Sequence, residues 1–136
     1  MGGSRIVVVD DNDTNLLLMK FLLEALGHTP FPVSCGEDAL ELARREHPDL
    51  VLLDLQMNGW DGFETLRAIR RDRALDDVPI VAVTALAMVG ERETALAAGF
   101  DGYITKPIQP RFFASQINPF LPAEARSRLP SAAGTD

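Results

Sequence analysis

The chain has 136 residues, of which 46% are hydrophobic and 24% are charged, and its formal net charge at pH 7 is −7. This size and balance are typical of one globular domain with a buried core, and the negative charge argues against a general binder of nucleic acid or anionic membranes. There is no apolar run of the roughly 20 residues that cross a bilayer and no apolar signal-peptide core after Met1, so we expect a cytoplasmic protein.

Short apolar runs alternate with helical patterns along the chain. In chain order, the predicted elements are a strand over 5–9, a helix over 14–26, a strand over 28–33, a helix over 36–46, a strand over 50–54, a helix over 61–71, a strand over 79–84, a helix over 86–98, a strand over 102–105 and a last helix from 110. Continuous β-branched or leucine-rich runs bounded by turn residues predict strands that are buried on both faces. The second strand contains two prolines, which favours a position at the edge of the sheet.

Several residues predict where the helices begin and end. Asp61 followed three residues later by Glu64 is typical of a capping box. Gly90 falls inside the predicted fourth helix, where glycine costs about 1 kcal/mol relative to alanine, and Pro119 should end the last helix early. The apolar side of that last helix is expected to comprise Phe112, Phe113, Ile117 and Phe120. The two histidines lie at element ends and are expected to be solvated.

The fivefold alternation of strand and helix predicts an α/β fold with a doubly wound parallel sheet and helices on both faces. The flavodoxin-like strand order 2-1-3-4-5 is favoured because it brings the acidic ends of the first and third strands together at the switch point. Residues 1–121 would form this domain. Residues 122–136, rich in Ala, Ser, Arg and Pro, predict a flexible C-terminal tail without a core of its own.

Polar residues stand at the carboxyl ends of four predicted strands, and such ends face one crevice in a parallel sheet. They are Asp10 with Asp11, Asp54, Thr84 and Lys106. Three carboxylates placed together repel one another unless a cation lies between them. Oxygen ligands without His or Cys favour Mg²⁺, with Mn²⁺ as an alternative ion.

We expect Asp11 and Asp54 to bind this ion directly, with Asp10 binding directly or through water and Gln56 contributing its backbone carbonyl. A carboxylate beside Mg²⁺, a hydroxyl and an ammonium can accept a phosphoryl group. Asp54 would be the nucleophile. Lys106 would neutralise charge on the phosphoryl oxygens, and Thr84 would donate a hydrogen bond to one of them.

Four motifs in this order resemble the response-regulator receiver domain. They are Val9-Asp10-Asp11-Asn12, Asp54 with Gln56-Met57 and Asp61-Gly62, Val83-Thr84-Ala85, and Thr105-Lys106-Pro107. The resemblance extends from about residue 5 to 121. Residues 81–108, together with Asp11-Asn12 and Asn15, resemble single-domain regulators of the DivK type. Receivers fused to hybrid histidine kinases share much of the same pattern.

The resemblance implies a bacterial two-component phosphorelay protein, in which a sensor histidine kinase or histidine phosphotransfer protein phosphorylates Asp54. It also implies a switch in which Thr84 moves toward the phosphoryl group and Tyr103 turns inward. The face of the fourth helix, fifth strand and fifth helix would then contact a downstream regulatory protein. We expect a monomer or weak dimer that contacts neither nucleic acid nor membrane.

The sequence departs from the receiver pattern at Asn58-Gly59-Trp60, where many receivers have Pro-Gly-Met or a similar trio. Gln56 and Leu86, two residues after Asp54 and Thr84, offer no carboxylate to activate a hydrolytic water. The resemblance therefore predicts a signalling domain that assists its own phosphorylation and loses the phosphoryl group slowly, rather than an enzyme.

Three other interpretations stay open at this point. The chain could be a receiver excised from a hybrid histidine kinase, or a degenerate receiver that serves only as a scaffold. It could also be a small aspartate-nucleophile phosphohydrolase. Such a hydrolase usually has a second acid two residues after its nucleophile, where this chain has Gln56, and a cap domain for which it has no room.

Overall fold

A computed structural model describes residues 3–85 and 88–125 of the chain. The strands are β1 (Arg5–Val9), β2 (Thr29–Val33), β3 (Leu50–Asp54), β4 (Ile80–Thr84) and β5 (Gly102–Thr105). The α-helices are α1 (Asp13–Ala25), α2 (Gly36–Glu46), α3 (Gly62–Arg71), α4 (Glu91–Ala98) and α5 (Pro110–Ile117). Within these described ranges, short 3-10 turns are present at Arg73–Leu75, Asn118–Phe120 and Ala123–Ala125.

The five strands form one parallel sheet in the order β2-β1-β3-β4-β5. The predicted fold class and strand order are therefore confirmed, with β2 and its two prolines at one edge as predicted. Every residue of β3 and of β4 is buried, as expected for central strands that are covered on both faces.

The alternation of side chains along the strands divides the core into two layers. On one face, residues such as Val7, Leu53 and Ala82 pack against α2, α3 and α4. On the other face, residues such as Val8 and Leu52 pack against α1 and α5. Helices thus cover both faces, which leaves the carboxyl ends of the strands as the place where polar side chains meet.

Local sequence signals explain most helix boundaries. The α3 helix begins with the predicted capping box, in which the Asp61 carboxylate accepts from the Glu64 N–H and the Glu64 carboxylate accepts from the Asp61 N–H, both at 2.9 Å. Pro110 occupies the first turn of α5, where no intrahelical donor is needed. Pro119 follows the end of α5 within a 3-10 turn, so the prediction of an early end is confirmed.

The prediction for the fourth helix was wrong at Gly90. The helix begins at Glu91, and Gly90 is its N-cap with φ +82°, so this glycine provides a left-handed turn before the helix rather than a flexible position inside it. The predicted start at Leu86 lies outside the described residues. The helical periodicity could not distinguish a capping glycine from an interior one.

Two predictions of side-chain environment were also wrong. Phe112, assigned to the apolar side of the last helix, is 48% exposed, whereas Phe113 is fully buried. His28, expected in solvent, is 4% exposed, and its Nδ1 accepts a hydrogen bond from the Ser4 N–H at 3.1 Å. Both depend on how α5 and the α1–β2 turn are rotated against the sheet, which a periodic pattern does not determine.

The last described residues pack onto the domain. Leu121 and Ala125 are buried in the α1–α5 layer of the core. Residues 126–136 of the predicted tail lie outside the described residues, so the boundary at 121 stays a prediction. Among the helices of the described part of the chain, none is long and apolar enough to span a membrane.

Candidate functional site

The acidic residues at the ends of β1 and β3 are brought together by the pairing of these strands. Val9 lies beside Leu53 in the parallel register, so Asp10 and Asp54, each one residue further along, emerge at the same edge of the sheet. Asp10 is fully buried, Asp54 is 6% exposed, and Asp11 is exposed. One carboxylate oxygen of each lies within 4.8 Å of the others.

A single lysine side chain from the loop after β5 contacts two of these acids. Lys106 Nζ lies 2.6 Å from Asp10 Oδ2 and 3.1 Å from Asp54 Oδ2. Its side chain is only 10% exposed. The Lys106 main-chain N–H donates to the carbonyl of Thr84 at 2.8 Å, and the Lys106–Pro107 peptide bond is cis.

Each carboxylate of the cluster also accepts a hydrogen bond from a main-chain N–H of a nearby loop. Asn12 donates to Asp10 Oδ1 at 2.9 Å, and Gln56 donates to Asp54 Oδ1 at 3.0 Å. Asn58 donates to Asp11 Oδ2 at 2.9 Å across 47 positions in sequence. Bonds of this kind are stronger than those between neutral groups and fix the orientation of each carboxylate.

The electrostatics of the cluster are set by burial and by its one ammonium group. Burial raises the pKa of Asp54, and nearby Asp10 raises it further, whereas the Gln56 N–H and Lys106 act in the opposite direction. Burial by itself would lower the pKa of Lys106, but its hydrogen bond to Asp10 and the charge of Asp54 outweigh this, so the pKa is raised. Lys106 is therefore an ammonium at neutral pH.

The donor set fits a hard divalent cation. Three carboxylates face one ammonium, so the cluster retains an excess of negative charge that Mg²⁺ would balance. The acids supply only oxygen atoms, which are the ligands that Mg²⁺ prefers. Gln56, the fourth predicted ligand, is exposed directly after Asp54 and Leu55, and its main-chain N–H already binds the Asp54 side chain.

Thr84 ends β4 at the same edge of the sheet and is fully buried. It lies beside Thr105 in the register of β4 and β5, one residue before Lys106. The structure thus places the predicted hydroxyl at the strand end beside β3, where Val83 is the partner of Asp54.

Tyr103, the other predicted switch residue, lies in β5 and is half-buried. Its hydroxyl donates to Glu91 Oε1 at 2.5 Å, at the start of α4. Burial, the hydrogen bond to Glu91 and the charges of Glu91 and Glu93 raise the pKa of Tyr103 to about 12. In this structure, β5 is therefore tied to α4 through a neutral phenol.

The backbone after Asp54 is held by a close approach at the start of α3. A Cβ added to Gly62 would lie 2.6 Å from the Asp54 carbonyl oxygen and 2.7 Å from Leu55 Cα. The Gly62 N–H also donates to the Leu55 carbonyl at 3.1 Å. Glycine at this position lets α3 begin directly against the strand end that carries Asp54.

Sequence reasoning missed the main-chain amides of Asn12 and Asn58 and the carboxylate of Glu91. Main-chain donors leave no trace in a residue pattern, because every residue except proline has one. For Asn58 the sequence did contain a signal. Asparagine has a main-chain N–H, whereas proline, which many receivers have at this position, has none. The pairing of Glu91 with Tyr103 required knowledge of where α4 begins.

Comparison with known proteins identifies relatives of this chain. The family described as the response regulator receiver domain matches residues 6–118. The chain is 38% identical over 116 residues to the polar-differentiation response regulator DivK of Brucella ovis. The aligned region covers 85% of this chain and 94% of the relative.

Solved structures show the same fold. One is the receiver domain of the sensor histidine kinase PA1611 from Pseudomonas aeruginosa, which has a magnesium ion in its active-site cleft. It is 34% identical to this chain with a TM-score of 0.75, and the match covers 85% of this chain and 98% of that one. The BeF3-activated receiver domain of Klebsiella pneumoniae RstA is 30% identical with a TM-score of 0.76, and the match covers 83% of this chain and 94% of that one. Vibrio cholerae chemotaxis protein CheY4, at 23% identity and a TM-score of 0.82 over 88% and 99%, shares the fold.

Proposed function

The chain belongs to the family of response regulator receiver domains, and from that premise we propose that Asp54 is the residue that accepts the phosphoryl group. Receivers are signalling domains of two-component systems, and their general function is to take this group from a kinase. The observation that carries the proposal is the contact of Lys106 Nζ with both Asp10 and Asp54 within a cluster of three carboxylates.

In the proposed reaction, an oxygen of the Asp54 carboxylate attacks the phosphorus of a phosphohistidine on the donor protein. The P–N bond to the imidazole breaks, an acyl phosphate forms on Asp54, and the released imidazole takes up a proton. Lys106 contributes positive charge beside the reacting carboxylate, and the Thr84 hydroxyl donates a hydrogen bond to a phosphoryl oxygen. The domain thereby assists its own phosphorylation.

Receiver domains bind Mg²⁺ at an acidic pocket, and the P. aeruginosa relative is described with magnesium in its cleft. In this chain Asp10, Asp11 and Asp54 would hold the ion, with the Gln56 carbonyl as a further ligand. When bound, Mg²⁺ neutralises negative charge on the transferring phosphoryl group. Mn²⁺ would be an alternative ion because it accepts the same oxygen ligands.

The donor would be a sensor histidine kinase or a histidine phosphotransfer protein of the cytoplasm. Phosphorylation would draw Thr84 toward the new group and let Tyr103 leave Glu91 and turn inward. The face formed by α4, β5 and α5 would then contact a downstream regulatory protein. We propose a monomer or weak dimer.

A receiver excised from a hybrid histidine kinase would use the same chemistry, and the P. aeruginosa relative is itself the receiver domain of a sensor kinase. The phosphohydrolase alternative has less support, because Gln56 follows Asp54 where a second acid is needed. A scaffold without chemistry would not need a buried lysine between two buried carboxylates.

Phosphotransfer from a panel of purified phosphorylated kinases and phosphotransfer proteins tests the proposal. Wild type should take up label on Asp54 in the presence of Mg²⁺ and should lose that uptake in EDTA. Asp54→Asn should take up none, and Asp49→Asn is the matched control because Asp49 lies at the opposite end of β3. Label on another residue, or sustained phosphate release from a chromogenic ester, would contradict the proposal.

A further inference from the structure

One hydrogen bond at the site joins two segments that are far apart in sequence. The Asn58 main-chain N–H donates to Asp11 Oδ2 at an N···O distance of 2.9 Å. Asp11 is the only exposed member of the three-carboxylate cluster, whereas Asp10 and Asp54 are buried. Its side chain therefore lacks the packing that fixes the other two.

The donor is available because residue 58 is not proline. A proline there has no N–H and could not make this bond. The asparagine side chain itself is not required, since any residue other than proline offers the same main-chain donor. The bond thus depends on the main-chain N–H of residue 58 and not on the identity of its side chain.

The loop that carries Asn58 is held at both ends. It follows β3 from Leu55, and its two ends are joined because the Gly62 N–H donates to the Leu55 carbonyl. Trp60 within the loop lies against α2, where a Cβ added to Gly36 would be only 3.0 Å from Trp60 Cβ. An anchored loop presents its N–H groups in fixed positions, which makes Asn58 a defined donor.

We propose that the Asn58 main-chain amide is a positioning group that orients the Asp11 carboxylate for divalent-cation binding. One oxygen of Asp11 is engaged by the amide, and the carboxylate is thereby held within 4.8 Å of its partners. The Asp11 side chain is then already ordered in the metal-free protein. Binding of the ion therefore loses less conformational entropy of this side chain. This inference rests on the proposed function, because it assumes that the cluster binds Mg²⁺.

The test compares Asn58→Pro, which removes the N–H, with Asn58→Ala, which keeps it. Mg²⁺ affinity is measured by isothermal titration calorimetry and by the fluorescence of Trp60, the single tryptophan. Loss of a group that orients a metal ligand costs about 10-fold to 100-fold in affinity, so Asn58→Pro should bind Mg²⁺ at least about 10-fold more weakly than wild type. Asn58→Ala should bind it like wild type.

A second substitution separates loss of the donor from distortion of the loop by proline. Replacing the amide at residue 58 by an ester removes the N–H without the proline ring, and it should weaken Mg²⁺ binding to a similar extent. Equal Mg²⁺ affinity of the ester variant and wild type would overturn the inference, whatever the folding of Asn58→Pro. A wild type that binds no Mg²⁺ would overturn the proposed metal site as well, which distinguishes the two failures.

Discussion

Lys106 Nζ lies between Asp10 Oδ2 and Asp54 Oδ2, at 2.6 and 3.1 Å, and so bridges the ends of two adjacent strands. Both carboxylates and the lysine side chain are at least nine-tenths buried. The cation comes from the far edge of the sheet, after β5, whereas the acids follow β1 and β3. This ion pair therefore connects three strand ends as well as neutralising part of the acidic cluster.

Removing the ammonium should destabilise the metal-free protein. Lys106→Met leaves two buried carboxylates without their cation, and breaking a buried ion pair from one side costs about 3 kcal/mol of the free energy of unfolding. Urea denaturation at pH 7 in EDTA measures this. The double variant with Asp54→Asn should recover part of the loss, and a Lys106→Met protein as stable as wild type would contradict the role of the pair.

Lys106 should also matter for phosphorylation itself. Loss of one preorganised charge beside the transferring group typically costs about 100-fold in rate, so Lys106→Met should accept phosphate from a small-molecule phosphodonor about that much more slowly. The rate is followed by the mass increase of the intact protein. Lys20→Met, on the exposed surface of α1, is the control and should react like wild type.

The raised pKa of Asp54 predicts a stability that falls with increasing pH. The folded state holds the Asp54 proton more tightly than the unfolded chain, whose pKa is the ordinary 3.8. Stability is therefore lost as the pH rises from that value through the raised pKa, so at pH 7 the Asp54 carboxyl group lowers the free energy of unfolding.

Asp54→Asn removes this destabilising contribution, so it should stabilise the protein in EDTA at pH 7 and have little stabilising effect near pH 4. Thermal denaturation across this range measures the difference between the two proteins. With Mg²⁺ at pH 7, wild type should instead be more stable than Asp54→Asn, because only wild type retains all three carboxylates that would bind the ion. A variant that is less stable than wild type at pH 7 in EDTA would contradict the prediction.

The lowered pKa of His28 predicts a contribution to stability that falls with decreasing pH, opposite to that of Asp54. Burial lowers its pKa below the ordinary 6.5, although the charge of Asp49 acts in the other direction. The stability that a neutral His28 provides is fully present above pH 6.5 and is lost as the pH falls through that value toward the lowered pKa. Protonation of Nδ1 would also break its bond with the Ser4 N–H.

His28→Asn keeps a side-chain acceptor but cannot titrate in this range. The melting temperature of wild type should therefore fall more steeply between pH 7 and pH 5 than that of the variant, with other groups contributing equally to both. Parallel melting curves for the two proteins over this range would rule out the buried, neutral state of His28. The comparison thus tests a residue that was expected in solvent and that the structure places in the interior.

The phosphorylated protein should hydrolyse slowly. Gln56 is exposed two residues after Asp54 and has no carboxylate to act as a general base toward water. Wild type labelled on Asp54 should retain the phosphoryl group for minutes or longer, and Gln56→Glu should lose it several-fold faster. Gln56→Ala is the matched control. A wild-type half-life of seconds would refute the prediction.

The order of elements and the identity of the strand ends followed from the sequence alone. Uninterrupted apolar runs such as residues 50–53 and 80–83 allow few structures other than central strands, and alternation with helices requires parallel pairing. The polar residue after each run, Asp54 or Thr84, is then placed by the register of the sheet. The same reasoning located the α3 capping box, because its two partners are only three residues apart.

Contacts that depend on how elements are rotated and where loops pass could be decided only by the tertiary structure. The Asn58 amide and Asp11 are 47 residues apart, and a main-chain donor has no sequence signature. The burial of His28 and the exposure of Phe112 depend on packing against the sheet, and Gly90 lies outside α4 because its backbone is left-handed. An apolar or polar pattern specifies which side chains avoid water, but the partners they meet are fixed only when all the elements pack together.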